Sequence, residues 1–406
     1  MHQHLGQDQC PVEKTGFIIR KYAAPMKTNQ NIKIIVGLSG GVDSAVTALL
    51  LKEQGFDVQG IYMQNWMAEK DDPFCSAEAD MTDAKNVCDH LQIPFHLVNF
   101  SKEYWDNVFQ YCLDEFIAGR TPNPDIWCNQ FIKFDAFLNH AISLGADYLA
   151  TGHYVIKSER KHARASVSEQ VSALFDLKKA TDLNKDQSYF LYTLNQEKLS
   201  RVLFPLGELT KPKVREIAKK AGLLNANKKD STGICFIGER KFKNFLQDFI
   251  LAKPGLMKTP DGKTIGKHDG LMFYTLGQRK GLQIGGMKIH SSPPFSKGGA
   301  VHEPWYVVGK NISENTLIVA QGHDHPLLFS SKLTCEKLNW VSGKAPDLEK
   351  CTAKIRYRQV DQPCIIKQID TDIWQVHFNE PQRAITPGQS VVFYDGKICL
   401  GGGIIL

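Results

Sequence analysis

The stretch Ile32-Lys33-Ile34-Ile35-Val36-Gly37-Leu38, the hexapeptide SGGVDS (39–44) and the apolar run AVTALLL (45–51) together constrain this chain more than any other feature. A short β-branched run reads as a buried strand, and the apolar run after it reads as a helix. Between them sits a tight turn of small residues. Gly40 and Gly41 permit backbone dihedrals closed to other residues and let a ligand approach the main chain. Ser39 and Ser44 add hydroxyl donors, and the helix N-terminus directs N–H groups and a positive dipole end at the same point. Such a turn is built for an anion, a phosphate above all. It lacks the Lys-Ser/Thr ending of the common nucleotide loop and is not that motif.

Strand and helix patterns alternate from 32 to about 155. Strands are expected at 57–63, 94–100 and 147–153, and helices at about 77–91, 102–118 and 131–144, the last ending at Gly145 as C-cap. Alternation of this kind implies an α/β fold with a doubly wound parallel sheet, whose ligands bind at the carboxyl ends of the strands. Ser39 to Ser44, Met63 and the Gly152-His153 tip would then share one crevice. Residues 157–180 are basic and read as an irregular loop insertion, and helices are expected near 212–221 and 242–251. Beyond Gly255 short strands alternate with Gly-, Pro- and Asn-rich turns, which suggests a small connecting domain and then a β-barrel or sandwich. The stretch 291–299 (SSPPFSKGG) reads as a linker or insertion near that boundary.

At 406 residues two or three domains are expected. An apolar content of 42% and a charged content of 23% suit a soluble enzyme, and no apolar run approaches the ~20 residues that span a bilayer. The net charge of +6 permits a polyanionic partner without demanding one. Ten cysteines without a CxxC give no support to zinc ribbons, thioredoxin-type pairs or the commonest iron–sulfur spacings, and a reducing cytoplasm is the expected compartment. Residues 1–30 fit neither a signal nor a transit peptide. They are expected to be a disordered or mis-started extension, with Met26 as an alternative start to Met1.

Two cysteines stand apart. Cys128 lies in TPNPDIWCN (121–129), just after a proline-punctuated turn and before the expected helix, where a helix N-terminus lowers a thiol pKa. Asp125, three residues earlier, is near enough to serve as a general acid or base. Cys235 lies in STGICFIG (231–238), with Lys228 and Lys229 upstream, another setting that favours thiolate.

SGGVDS at a strand-to-helix turn resembles the PP-loop of the ATP pyrophosphatases, which cleave ATP to AMP and pyrophosphate. With the two cysteine segments, the whole chain resembles the MnmA/TrmU family of tRNA-specific 2-thiouridylases. The matching pieces are GLSGGVDS (37–44), TPNPDIWCN (121–129), ATGHY (150–154), LNKDQSYFLY (183–192), STGICFIG (231–238), GQRKGL (277–282), KIRYR (354–358) and TPGQ (386–389). They follow family order from residue 32 onward, and the departures (the N-terminal extension, 157–172 and 291–299) touch none of them.

The resemblance implies a PP-loop catalytic domain over 31–238, a central domain over 239–300 and a tRNA-contacting C-terminal β-barrel over 301–406. It implies that ATP adenylates the C2 carbonyl of the wobble uridine and that sulfur from a cysteine persulfide replaces the activated oxygen. Gly37, Leu38, Ser39, Gly40, Gly41, Val42, Asp43 and Ser44 would hold the phosphates, with Met63 and Gly152 bordering the nucleotide and Asp43 available to Mg²⁺. Cys235 would carry the persulfide, Cys128 would be the nucleophile that resolves it, and a transient Cys128–Cys235 disulfide would await reduction. Asn123, Pro124 and Asp125 would meet the target base, with Asp125 moving a proton. His153, Lys185, Asp186, Gln187, Arg356, Tyr357 and Gln389 would contact tRNA. The implied partners are the Lys, Glu and Gln acceptor tRNAs and a persulfide donor, either a relay protein or a cysteine desulfurase. A monomer is expected.

Basic clusters at Lys211, Lys213, Arg215, Lys219 and Lys220, and at Arg240, Lys241 and Lys243, read equally as RNA contacts or as solvated helix faces. His323-Asp324-His325 reads as a surface turn rather than a metal site. The competing functions are another PP-loop ligase or amidotransferase, which leaves both cysteines without a task, and a silent tRNA-binding protein.

Overall fold

In a computed structural model, residues 29–66, 77–160, 174–230, 242–284, 303–346 and 350–406 are described. Residues 1–28 of the N-terminal extension, Cys235 with its STGICFIG segment, Arg240, Lys241 and the 291–299 stretch lie outside them.

The first unit is built on strands β1 (Lys33–Leu38), β2 (Asp57–Gln64), β3 (Phe95–Asn99) and β4 (Tyr148–Ala150). A hairpin of β5 (Val155–Glu159) and β6 (Phe175–Lys179) follows, and then β7 (Val202–Leu203). The parallel sheet runs β3-β2-β1-β4-β7, so the order reverses direction at β1. That reversal opens a crevice at the carboxyl ends of β1 and β4, the place where open α/β sheets bind ligands. Ile34, Ile35 and Val36 are fully buried, as a strand covered on both faces requires. The helix Val42–Glu53 buries an unbroken run from Ser44 to Leu51 against this sheet. The helix Ala77–Leu91 has the expected bounds. Gly145 ends the fourth helical stretch at φ 82°, with its N–H bonded to the Ile142 carbonyl.

Two sequence expectations are corrected here. Residues 155–159 and 175–179 are not loop but an antiparallel hairpin. Its lysines disguise it: Lys157 is buried with its ammonium on the Leu199 carbonyl, and Lys179 bonds to Asp361 and the Gly396 carbonyl. The helix expected from 131 starts instead at Pro124, whose missing N–H costs nothing in a first turn, and continues through Cys128–Ala136 to Ser143.

The middle unit is a four-stranded sheet in the order β10-β11-β8-β9, formed by β8 (Gly255–Lys258), β9 (Thr264–His268), β10 (Trp305–Asn311) and β11 (Thr316–Gln321). It therefore takes in residues up to 321 rather than ending at 300. The last unit is a closed barrel of β12 (Phe329–Trp340), β13 (Lys350–Lys354), β14 (Gln362–Gln368), β15 (Trp374–Arg383), β16 (Ser390–Asp395) and β17 (Ile398–Ile405), sealed by the β12–β17 pairing. The start of β17, Ile398 and Cys399, pairs with β6, so the hairpin of the first unit extends the barrel sheet. This pairing joins the crevice-bearing unit to the barrel. No helix among the described residues is long and apolar enough to cross a membrane.

Candidate active site

The turn after β1 has the geometry expected of an anion cradle. Gly40 adopts φ 72°, and a Cβ there would come within 2.4 Å of the Asp80 carbonyl oxygen, so only glycine fits. Ser44 Oγ accepts from Ser39 N at 3.2 Å and donates to Gly41 O at 3.1 Å. No side chain caps the helix Val42–Glu53, which leaves its first N–H groups to a ligand. A Cβ on Gly152 would lie 2.9 Å from Asp43 C and Ser44 N, so the 151–154 tip packs directly on the turn. Met63 lies one residue past the Leu38–Tyr62 register pair, at the same end of the sheet. From the opposite side Asn225 donates to the Gly40 carbonyl at 3.0 Å, and its buried Oδ1 has no partner.

Asp43 is fully engaged. Tyr154 Oη donates to its Oδ1 at 2.7 Å, and Lys211 Nζ lies 2.8 Å from both carboxylate oxygens. An ammonium occupies the position a divalent cation would need, so Asp43 as found does not fit the role of Mg²⁺ ligand. Lys211 also reaches Asp230 Oδ1 at 2.7 Å, and Asp230 is further paired with Lys185 and with Arg215 at 2.9 Å. Burial pushes the Asp230 carboxyl up, but bonds from Lys185 and Lys211 outweigh it and lower it to about 2. Tyr154, Lys211 and Asn225 were absent from the sequence reading of the nucleotide site. Only Tyr154, inside ATGHY, carried a local signal.

The KDQ segment threads behind this cluster. Asp186 is 4% exposed and accepts from Ala180 N, Ser188 N and Ser188 Oγ, so its carboxylate holds the turn. Gln187 Oε1 accepts from Tyr154 N at 2.9 Å, fixing the tyrosine that reaches Asp43. His153 is buried between Phe134 and Phe204 with Nδ1 2.7 Å from Thr151 Oγ1. Burial, aided by the Lys133 charge, drops its pKa well below the usual imidazole range, so the ring is neutral.

Asn123 occupies the N-cap position and Pro124 the first turn of the helical stretch that carries Asp125 and Cys128. Burial raises the Asp125 carboxyl against a smaller opposing pull from Lys133. The stretch Cys128–Ala136 is π-helical and breaks at Phe134 (φ −108°, ψ 22°). Such widened turns re-aim side chains and recur at functional sites. Cys128 is 1% exposed and packed in the main core cluster, deeper than a thiol at a helix start was expected to be. The next residue, Asn129, donates to the Phe190 carbonyl at 3.2 Å, and Phe190 meets the Tyr357 ring of the barrel at 4.5 Å.

The barrel reaches the same place by a second route. Gln389 Nε2 donates to the Thr121 carbonyl at 2.8 Å, and Thr121 N donates to the Pro387 carbonyl at 2.9 Å. Arg356 is exposed and donates to the Arg383 carbonyl. Of the basic helix Lys211–Lys220, Lys211 is buried and Arg215 is paired with Asp230. Lys213 and Lys220 both pair with Glu216. Lys243 pairs with Asp269. His323 pairs with Asp324 at 2.6 Å, and His325 caps the next turn by accepting from Leu327 N.

Comparison with known proteins covers the chain almost completely. The family model described as tRNA methyl transferase HUP domain matches residues 32–239. The PRC-barrel domain model of the same group matches 243–321, and the aminomethyltransferase β-barrel model matches 330–405. The tRNA-specific 2-thiouridylase MnmA of Coxiella burnetii is 56% identical over 378 residues, which is 93% of this chain and 96% of that protein. The proteins of the same name from Francisella philomiragia and Legionella pneumophila are 55% and 54% identical. They cover 93% and 92% of this chain, and 100% and 98% of their own lengths.

Proposed function

The chain belongs to the tRNA-specific 2-thiouridylase family and is a tRNA-thiolating enzyme, and we propose that its crevice replaces the C2 oxygen of the wobble uridine by sulfur at the expense of ATP. One observation carries this reading. The anion-binding turn 39–44, the Gly152–Tyr154 tip and the KDQ segment meet at the carboxyl end of one sheet, while the barrel clamps the 121–125 turn of the cysteine helix, whose Phe134 packs on His153 of that tip.

The chemistry follows from the substrate. Oxide is a poor leaving group, so the C2 oxygen attacks the α-phosphate of ATP, pyrophosphate departs, and C2 then carries AMP as its leaving group. The glycine turn and the uncapped helix N-terminus hold the phosphates. A base must leave its stack to reach the site. Asn123, Pro124 and Asp125 receive it, and burial, which raises the Asp125 carboxyl above its usual value, suits that group to proton transfer. Neutral His153 presents a polar edge within an aromatic pocket.

Sulfur arrives as a persulfide on Cys235 from an external donor, a relay protein or a cysteine desulfurase. Its terminal sulfur attacks C2 and AMP leaves. Cys128 then attacks the Cys235 sulfur, which releases the 2-thiouridine and forms a Cys128–Cys235 disulfide. A two-electron reductant restores both thiols. Because Cys128 is buried, this step requires the π-helical stretch Cys128–Ala136, which already departs from helical dihedrals at Phe134, to expose the thiol. Arg356, Tyr357 and the barrel rim contact the tRNA body, with the Lys, Glu and Gln acceptors as substrates. Asp186 and Gln187 act through the turn they hold rather than by touching RNA.

The test is thiolation of unmodified tRNA by the purified protein with ATP, cysteine, a cysteine desulfurase and reductant, with nucleosides resolved by mass spectrometry. Sulfur-for-oxygen exchange at the wobble uridine with matching AMP is expected. AMP without exchange would move the sulfur step to another nucleophile, and neither product would overturn the reading.

A further inference from the structure

A carboxylate inside a phosphate cradle is an electrostatic problem. Asp43 sits in the first turn of the helix whose N-terminus attracts anions, and its unscreened charge would oppose a polyphosphate. We infer that Lys211 is a positioning residue that keeps this cradle competent for ATP by neutralising Asp43. The inference rests on the ATP-dependent reading above.

The geometry supports it in three ways. Lys211 Nζ contacts both Asp43 oxygens at 2.8 Å, and its side chain is 9% exposed against 32% for Asp43. The ammonium is therefore inside the protein and not on an RNA-facing surface. Its main chain is fixed as well, since Lys211 N donates to Asp182 Oδ2 at 2.9 Å at the start of the helix Lys211–Lys220.

The two carboxylates that share Lys211 are unequal. Asp230 keeps Lys185 and Arg215 if Lys211 is removed. Asp43 keeps only the neutral Tyr154 hydroxyl among its described partners. Loss of Lys211 therefore leaves its uncompensated charge in the cradle, not in the Asp230 cluster. A lysine that touched the phosphates directly, or one that merely held two segments together, would not behave in this way.

The experiment measures binding of α,β-methylene-ATP to the full chain by calorimetry. It compares wild type, Lys211→Gln and the double variant Lys211→Gln/Asp43→Asn, with thermal melts of each. Lys211→Gln should weaken binding about tenfold or more, in line with like charges brought together at short range. The double variant should recover at least about fivefold of that loss, because the charge that needed neutralising is gone. Wild-type affinity in Lys211→Gln, or a double variant no tighter than the single one, overturns the inference. If Lys211→Gln does not fold, a folded, analogue-binding double variant supports it and an unfolded double variant overturns it. No binding by the wild type would instead count against the ATP-dependent reading itself.

Discussion

Gln389 donates its side-chain amide to the Thr121 carbonyl at 2.8 Å, which ties the barrel to the turn just ahead of Cys128. The preceding residue, Gly388, makes the contact tight, since at φ 88° a Cβ there would come 2.9 Å from Thr121 N. The TPGQ turn is thus a clamp between units, and under the proposed function its effect on catalysis would run through the placement of Asn123, Pro124 and Asp125. Gln389→Ala removes the clamp's side-chain bonds to the Thr121 and Pro122 carbonyls, worth about 1 kcal/mol, and should lower the thiolation rate by about threefold to tenfold. Affinity for an ATP analogue should stay as in wild type. Equal losses in both would mean that the barrel contact shapes the nucleotide cradle as well.

Cys128→Ser should abolish thiolation while tRNA affinity stays largely intact, and Cys235→Ser should do the same. Because Cys128 is buried among apolar neighbours, the serine hydroxyl is expected to lower the melting temperature slightly, and that must be measured alongside. Thiolation by either variant at the wild-type rate would remove the two-cysteine mechanism.

The barrel holds a second pair of thiols that such experiments must separate. Cys351 and Cys364 face each other across β13 and β14 with sulfurs 3.7 Å apart. The hydrogen bond from Cys364 lowers the Cys351 thiol, outweighing its burial, which makes Cys351 the more acidic thiol of the pair. Hydrogen peroxide should join them, two thiols losing two hydrogens as peroxide becomes water. Peptide mapping of oxidised Cys128→Ser protein should find this disulfide, and a persistently reduced pair would rule the cross-link out.

The parts of the fold legible in sequence are those where local pattern and tertiary role agree. The strand, glycine turn and helix from Lys33 to Glu53 can be read directly because the apolar runs are long and the turn chemistry is strict. What escapes is charge that tertiary structure puts to use. Lys211 reads as a surface cation because nothing nearby in sequence reveals Asp43 and Asp230 as its partners. Asp186 reads as an RNA contact because its three donors are assembled only when the chain turns back on Ala180 and Ser188. Pro124 reads as part of a turn because Pro122 and Pro124 punctuate the segment, although a proline in a first helical turn is equally a helix start.

Asp125 should leave its mark on the pH profile. Burial raises its carboxyl, so the acid limb of tRNA-dependent AMP formation should fall at a pH above the ordinary carboxylate range if the ionised form accepts a proton. Asp125→Asn should lose that limb along with most of the rate. Lys133→Met removes the opposing charge and should shift the limb further upward. A limb that stays in place in Lys133→Met would assign it to another group.

Lys157 offers a test of the hairpin that the sequence conceals. Burial lowers its ammonium from 10.5 to about 7, with Nζ on the Leu199 carbonyl and 4.6 Å from the Phe175 ring centre. Between these two values the unfolded chain holds a proton that the folded chain has released, so wild-type stability gains with rising pH. The gain is at most about 1.4 kcal/mol per pH unit, and below pH ~7 both states are protonated and the full cost of the buried charge persists. Lys157→Met lacks this dependence. Denaturant melts of both proteins at neutral and alkaline pH should show the variant's relative advantage shrinking as pH rises. Parallel stability curves would mean that the ammonium remains solvated, and that the hairpin is held to the barrel without burying its charge.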